Sequence, residues 1–290
     1  MIIERLSQEH RNIEKLLAIL EQELEAFGRG DRPDYEVIRA AIPEAVQRPS
    51  TRCAPVKTDD QLDLQALHRV RSRLVGQRTA EINQIRGFLL EHGIAVRQGL
   101  RFLRQQLPDI LAKRSDVLSP RMIRIMEDLS GDWRRLDERI EHITKEIEVL
   151  AGTDVNCGQL MTVPGIGPIV ASATVAAIGN GAAFARGRDF AAWLGLVPKQ
   201  MSTGDRTILG RITKRGNRYL RMLFVQGARA ILLRPKSWVK HSFGPWLTTA
   251  ARRLHRNILT IALANKLARI ALSVLIQGRS YETRIVSAAA

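Results

Sequence analysis

The sequence has almost no cysteine, no uninterrupted apolar run, and too little acid to balance its base. Two cysteines, Cys53 and Cys157, cannot build a disulfide framework or a thiolate zinc site, which points to a reducing, cytoplasmic setting. The opening MIIERLSQEHRN is charged throughout and does not read as a secretory signal. The most apolar stretch, Ile258 to Ile276, is interrupted by Asn265, Lys266 and Arg269, which argues against a membrane span. Strand–helix alternation is also missing, so a doubly wound sheet is excluded and a mostly α fold is expected. What is present is an ordinary globular composition, 45% hydrophobic and 26% charged over 290 residues, enough for about two domains. Forty-five basic residues against 29 acidic ones give a net charge of +16, which suits a polyanionic partner, most often nucleic acid.

The charge is unevenly placed. Residues 1–40 hold six basic and nine acidic residues, whereas 41–290 hold 39 and 20. Between them Pro43, Pro49 and Pro55 recur every six residues, so 41–57 reads as a linker rather than one helix. In residues 1–40, Ile2, Leu6, Ile13, Leu17 and Leu20 share a helical face, and GRGDRPD at 28–34 ends it; a second short helix is expected near Tyr35. Thr58 with Gln61 is a capping-box pattern opening a long helix, with Leu64, Leu67, Leu74, Ile82, Ile85 and Leu89 as its stripe to about Gly93. A second long helix carries Ile123, Met126, Leu129, Trp133, Leu136, Ile140, Ile143, Ile147 and Leu150, close to a heptad seam. The spacing predicts an antiparallel helical hairpin or coiled-coil arm over 58–151. Such arms mediate packing or self-association, so a homo-oligomer is expected. A helical domain over 152–280 and a tail over 281–290 complete the division, with a basic helix over Ala250 to Ile276.

Two motifs bear on chemistry. LMTVPGIGPIVA, starting at Leu160, fits a helix-hairpin-helix in which Gly165 and Gly167 allow a tight turn. Backbone amides at the start of the next helix would then meet phosphate without reading sequence. A plain tight turn between core helices is the alternative. Next comes a segment from Lys199 to Arg256 with fourteen basic residues and one acid, Asp205. Lys214, Arg215, Arg218 and Arg221 are spaced to lie largely on one face of a helix entered after Gly216. A stripe of this kind neutralises several phosphates and makes binding salt-dependent. The candidate nucleic-acid contacts are therefore Gly165, Gly167, Lys199, Arg206, Arg211, Lys214, Arg215, Asn217, Arg218 and Arg221. Ser202 sits in this basic ground. A serine hydroxyl can attack a phosphodiester when a base takes its proton and cations stabilise the charge, although Ser-Thr-Gly alone is usually a turn.

From about Ala41 to Gly278 the chain resembles bacterial insertion-sequence transposases related to the Piv DNA invertase. The resemblance is carried by VKTDDQLDLQALHRVRSRLVGQRTAEINQIRGFLLEHGI, LMTVPGIGPIVASATVAAIG, FAAWLGLVPKQMSTGDRTILGRITKRGNRYLRMLFVQGAR and ALANKLARIALSVL. It implies a RuvC-like half with four carboxylates for magnesium, a coiled-coil insertion, and a C-terminal domain with a serine nucleophile. On that pattern Ser202 is the serine, followed by Thr203 and Gly204, DNA is the partner, and some members use a guide RNA. The carboxylate half should occupy more than the 40 residues ahead of the linker. At the positions of its late paired aspartates stand Tyr35 and Ile38, with Asp34 and Glu36 out of register. Asp59, Asp60 and Asp63 read as first-turn helix acids. A truncated transposase is therefore expected, without a cofactor of its own and inactive alone, the alternative being a nucleic-acid-binding regulator. Residues 1–40 show no likeness to that family; SQEHRNIEKLL resembles the first helix of a hemerythrin-like domain. His10 would be its first iron ligand, but His68, His92, His142, His241 and His255 are too scattered to complete a site, so no metal is expected.

Overall fold

A computed structural model describes residues 56–113, 116–203 and 206–282. The expectations for residues 1–40 and for most of the linker lie outside the described residues. From Asp59 onward the chain forms one compact unit, mostly helical.

Helix α1 runs Asp59–Glu91 and opens on Asp59 and Asp60, whose charges complement the amino-terminal end of the helix dipole. Helix α2 spans Leu100–Lys113, and α3 runs Pro120–Thr153. Ser119 caps α3 by accepting from the Met122 amide at 3.2 Å, with Pro120 in the first turn where no amide is needed. Arg71 Nε donates to Thr144 Oγ1 at 2.7 Å, and Arg78 pairs with Asp137 at 2.9 Å. The later residue on α1 meets the earlier residue on α3, so the two helices are antiparallel. The expected hairpin is there, but α2 lies between its arms and was not anticipated. Pro108, within α2, disguises it as a break. Leu103 and Leu107 of α2 pack with Ile82, Ile85 and Leu89 of α1 and with Met126 and Trp133 of α3, giving this end its own core.

The remaining helices share a second core. Helix α4, Val155–Met161, is capped by Asp154, whose carboxylate accepts from the Cys157 amide at 2.6 Å. Helix α5, Pro168–Ile178, is apolar on nearly all sides and buries Ala171 to Ala176 and Ile178. Against it pack α1, α3, α4 and α7 (Arg218–Leu232), while α6 (Gly187–Trp193), a 3-10 turn (Pro235–Lys240), α8 (Gly244–Arg253) and α9 (Arg256–Gln277) complete the same core. Helix α9 is long and apolar enough to cross a membrane by composition, yet it packs against α7 and α6 with Leu263, Ala264, Leu267, Ala268, Ala271 and Leu272 fully buried. Cys157 is likewise buried and unbridged, its thiol pushed up by burial and by Asp154.

One element is not helical, within a fold that is mostly α as expected. Strands β1 (Pro198–Thr203) and β2 (Arg206–Ile212) pair antiparallel, with Gln200 opposite Leu209, Met201 opposite Ile208, Ser202 opposite Thr207 and Thr203 opposite Arg206. The register shifts between Pro198 and Gln200. Apart from half-buried Ile212, every described ribbon residue is exposed, so no apolar alternation marked these strands in the sequence.

The ribbon is clamped at its base. Thr213 N donates to Val197 O at 2.9 Å and Lys214 N to Gly195 O at 3.2 Å. Gly195 and Gly216 have φ of +70° and +78°. A Cβ on Gly216 would lie 1.7 Å from Trp193 O, and one on Gly195 would lie 2.2 Å from Arg215 O. Only glycine permits both the left-handed backbone and this approach. Arg221 completes the clamp, its Nη1 donating to Leu194 O at 2.8 Å and to Arg215 O at 3.0 Å.

A buried polar chain ties the two cores together. His68 on α1 places Nδ1 3.1 Å from the Tyr219 hydroxyl and Nε2 3.0 Å from Ser172 Oγ, while Ser172 donates to Pro168 O at 2.7 Å. Since the Ser172 proton is committed to that carbonyl, the imidazole proton belongs on Nε2, and Tyr219 donates to Nδ1. A neutral histidine satisfies every member. Burial, reinforced by Arg71, pulls His68 down to about 4.

Two expected outcomes follow from these contacts. The stability tied to neutral His68 is complete above its unfolded pKa of about 6.5 and is lost as pH falls toward about 4, a total of about 3 kcal/mol. Denaturant unfolding across that window should show this loss, and His68→Gln should remove it from the pH profile. Gly216→Ala should lower stability by more than about 2 kcal/mol in thermal unfolding. Gly210→Ala, where the nearest atom would be 3.7 Å away, should cost less than about 1 kcal/mol.

Candidate nucleic-acid interface

The glycine turn between α4 and α5 has a packing reason. Gly165 has φ +80°, and a Cβ there would lie 2.8 Å from Ile231 Cδ1 and 2.9 Å from Gly227 O on α7. Reciprocally, a Cβ on Gly227 would lie 2.4 Å from Gly165 O. Gly165 and Gly227 thus let this turn sit directly on α7. Gly167 differs: it caps α5 without a side-chain bond, and nothing lies within 4 Å of where its Cβ would stand. Of the two glycines, Gly167 has the open surroundings that an approaching phosphate requires.

The ribbon separates what the sequence placed together. Side chains alternate faces along a strand. Gln200 and Ser202 therefore share one face with Thr207 and Leu209, while Met201 and Thr203 share the other with Arg206 and Ile208. Ser202 is exposed, and its Oγ accepts from Gln200 Nε2 at 2.9 Å. Among the described residues its nearest neighbours on that face are uncharged. Arg206 lies on the opposite one, so basic residues adjacent in sequence are not all adjacent to the hydroxyl. Lys199 and Arg211 are exposed near the bulged base of the ribbon. Gly204 and Asp205 lie outside the described residues.

The expected helical stripe is also redistributed. Helix α7 begins at Arg218, so Lys214 and Arg215 belong to the preceding loop, both exposed. Asn217 caps the helix, its Oδ1 accepting from the Leu220 amide at 3.0 Å. Arg218 is exposed on the first turn, whereas Arg221 is half-buried and engaged with two carbonyls. Two of the expected contacts, Asn217 and Arg221, therefore have local structural work to do. The loop that spaced Lys214 and Arg215 away from a helix is set by Gly195 and Gly216. Gly195 was missed in the sequence, although a glycine just beyond an apolar helical run is an ordinary stop signal.

Comparison with known proteins puts this surface in context. Residues 157–243, covering α4 through the 3-10 turn and including the ribbon, match the model of the Transposase IS116/IS110/IS902 family. The chain is 40% identical to a probable family 20 transposase of Pseudomonas aeruginosa over 91% of its own length and 78% of that relative. It is 38% identical to the transposase for insertion sequence element IS1111A of Coxiella burnetii, over 87% of this chain and 68% of the relative. The transposase for IS1328 of Yersinia enterocolitica is 37% identical, over 87% and 74%. The Pseudomonas match spans 264 residues, more than the 250 that follow residue 40, so it reaches into residues 1–40. That corrects the expectation that this segment has no likeness to the transposases; at least part of it is shared. With this identity sustained over most of both chains, the chain belongs to the IS116/IS110/IS902 family of insertion-sequence transposases.

Proposed function

We propose that this transposase binds the DNA of its element through the ribbon, the Lys214–Arg218 corner and the amino-terminal end of α5, and that Ser202 is its nucleophile. The observation that carries the reading is an exposed serine hydroxyl on an uncovered ribbon bearing Lys199, Arg206 and Arg211, within the segment that matches the family. In the reaction Ser202 Oγ forms a bond to phosphorus as the bond from phosphorus to the leaving sugar oxygen breaks. The serine proton passes to a base and the leaving oxygen gains one. The Gln200 bond to Oγ orients the hydroxyl before attack. Lys199, Arg206, Arg211, Lys214, Arg215 and Arg218 hold the phosphates, and Gly167 opens the start of α5 to one more. A structured RNA is a second polyanion for the same surface.

The resemblance to Piv-related transposases also implies magnesium held by carboxylates. Among the described residues no three His, Cys, Asp or Glu side chains gather as a cation site. Asp59, Asp60 and Asp63 are exposed or at the start of α1 and do not fit the role. A second reading, a DNA-binding protein that regulates transposition without cutting, rests on the exposed basic surface alone.

Binding to duplex DNA should fall by about a hundredfold or more between about 50 and 200 mM salt, if six or more phosphates are contacted. Lys214→Glu, Arg215→Glu and Arg218→Glu together should weaken binding to all sequences alike. Unchanged affinity would move the interface elsewhere. Ser202→Ala should leave affinity nearly intact while abolishing covalent protein–DNA product on element-end DNA. Absence of that product from the unsubstituted chain, with binding intact, selects the regulatory reading.

A further inference from the structure

Lys214 is exceptional. Among the described residues it is the one non-glycine with positive φ, at +56°; the eight other positive-φ positions are all glycine. A side chain in this region crowds its own backbone, and the conformation persists only where the surroundings enforce it. The surroundings here do. The Lys214 amide is tied to Gly195 O, the next carbonyl is held by Arg221, and Gly216 is pressed against Trp193 O. Both partners in this close approach, Gly195 and Gly216, are the residue type the backbone favours. Position 214 is not.

Nothing in the fold compensates for the lysine. Its side chain is exposed, so burial contributes little, and the ammonium has no hydrogen-bond or ion-pair partner among the described residues. Arg215 and Arg218 are exposed close by along the chain, and no described residue between Lys199 and Arg221 is acidic. Like charges gathered without acid repel one another, a second local cost that neither packing nor pairing offsets. The clamp holds the strained backbone in place, and the unpaired, repelled charge on it is offset by a negative group that arrives from outside.

We infer that Lys214 contacts a backbone phosphate of duplex DNA, and that its left-handed conformation is a stability sacrifice that places the ammonium at the corner between ribbon and α7. The inference rests on the DNA-binding reading above and goes further, by separating Lys214 from the rest of the basic surface: it alone should trade stability for affinity. The clamp aims this one side chain, whereas Lys199 and Arg206 ride on a ribbon that nothing covers.

The test uses the full chain and a labelled mixed-sequence DNA duplex. Lys214→Gly and Lys214→Asn both suit a left-handed backbone, and should raise the melting temperature by about 1–3 °C. Both should weaken binding uniformly across sequences and lower the slope of log affinity against log salt by about one, the mark of one lost phosphate contact. Lys214→Arg keeps charge and strain, and should keep the original slope and melting temperature. An unchanged slope in the glycine and asparagine variants, with the parent binding normally, would overturn the inference and leave the broader reading standing. So would a fall in melting temperature for both. A slope change confined to structured RNA would also refute it, and a parent chain that fails to bind duplex DNA at low salt would remove both proposals together.

Discussion

Two stretches of backbone, Trp193–Gly195 and Lys214–Gly216, approach each other so closely that side chains are excluded from the contact. The geometry of the basic surface depends on that approach. It closes the loop that carries the ribbon away from the core and back, and it fixes where α7 begins. That start decides which cations point outward from loop or helix. Arg221 reinforces the contact from α7 by bridging a carbonyl on each side, so the helix and the clamp are one construction. Were the approach loosened, Lys214, Arg215 and Arg218 would keep their charge but lose their common placement.

The arm was largely legible because its signals were periodic. The positions Met126, Trp133, Ile140 and Ile147 are all buried on α3, as a heptad seam requires, and Leu74, Ile82, Ile85 and Leu89 are buried on α1. The heptad period ends at Leu150, which is 43% exposed, one residue before Ala151 joins the second core. Helix α2 was hidden by Pro108, and the ribbon by its exposure: strands buried on neither face carry no alternation to read. Gly165 was expected to matter for phosphate, yet the contact with Gly227 gives it a packing role that sequence order alone could not reveal. That partner lies more than sixty residues away in the chain.

The candidate site shows the same division between what order conveys and what pleating decides. A count of fourteen basic residues against one acid located the surface. It could not assign faces. Because strand side chains alternate, Ser202 came to share a face with Gln200 and Thr207 rather than with Arg206. If Ser202 is the nucleophile proposed above, its uncharged described neighbours leave it to the approaching partner to complete its surroundings. This accords with a ribbon that leaves both faces open. On the proposed reading the cations hold the polyanion and the hydroxyl meets one phosphate of it, a separation of tasks along residues 199–211.

The buried His68–Tyr219–Ser172 chain has a mechanical meaning as well. Tyr219 belongs to the first turn of α7, directly after Arg218, and His68 lies in the opening third of α1. Thirty-three helical residues make α1 a rod of about 50 Å. Its short end is bolted through one imidazole to the helix that carries the basic corner, and its long end runs out along the arm. His68 thus joins α1 to the first turn of α7 and to α5 through hydrogen-bonded side chains rather than through the ribbon.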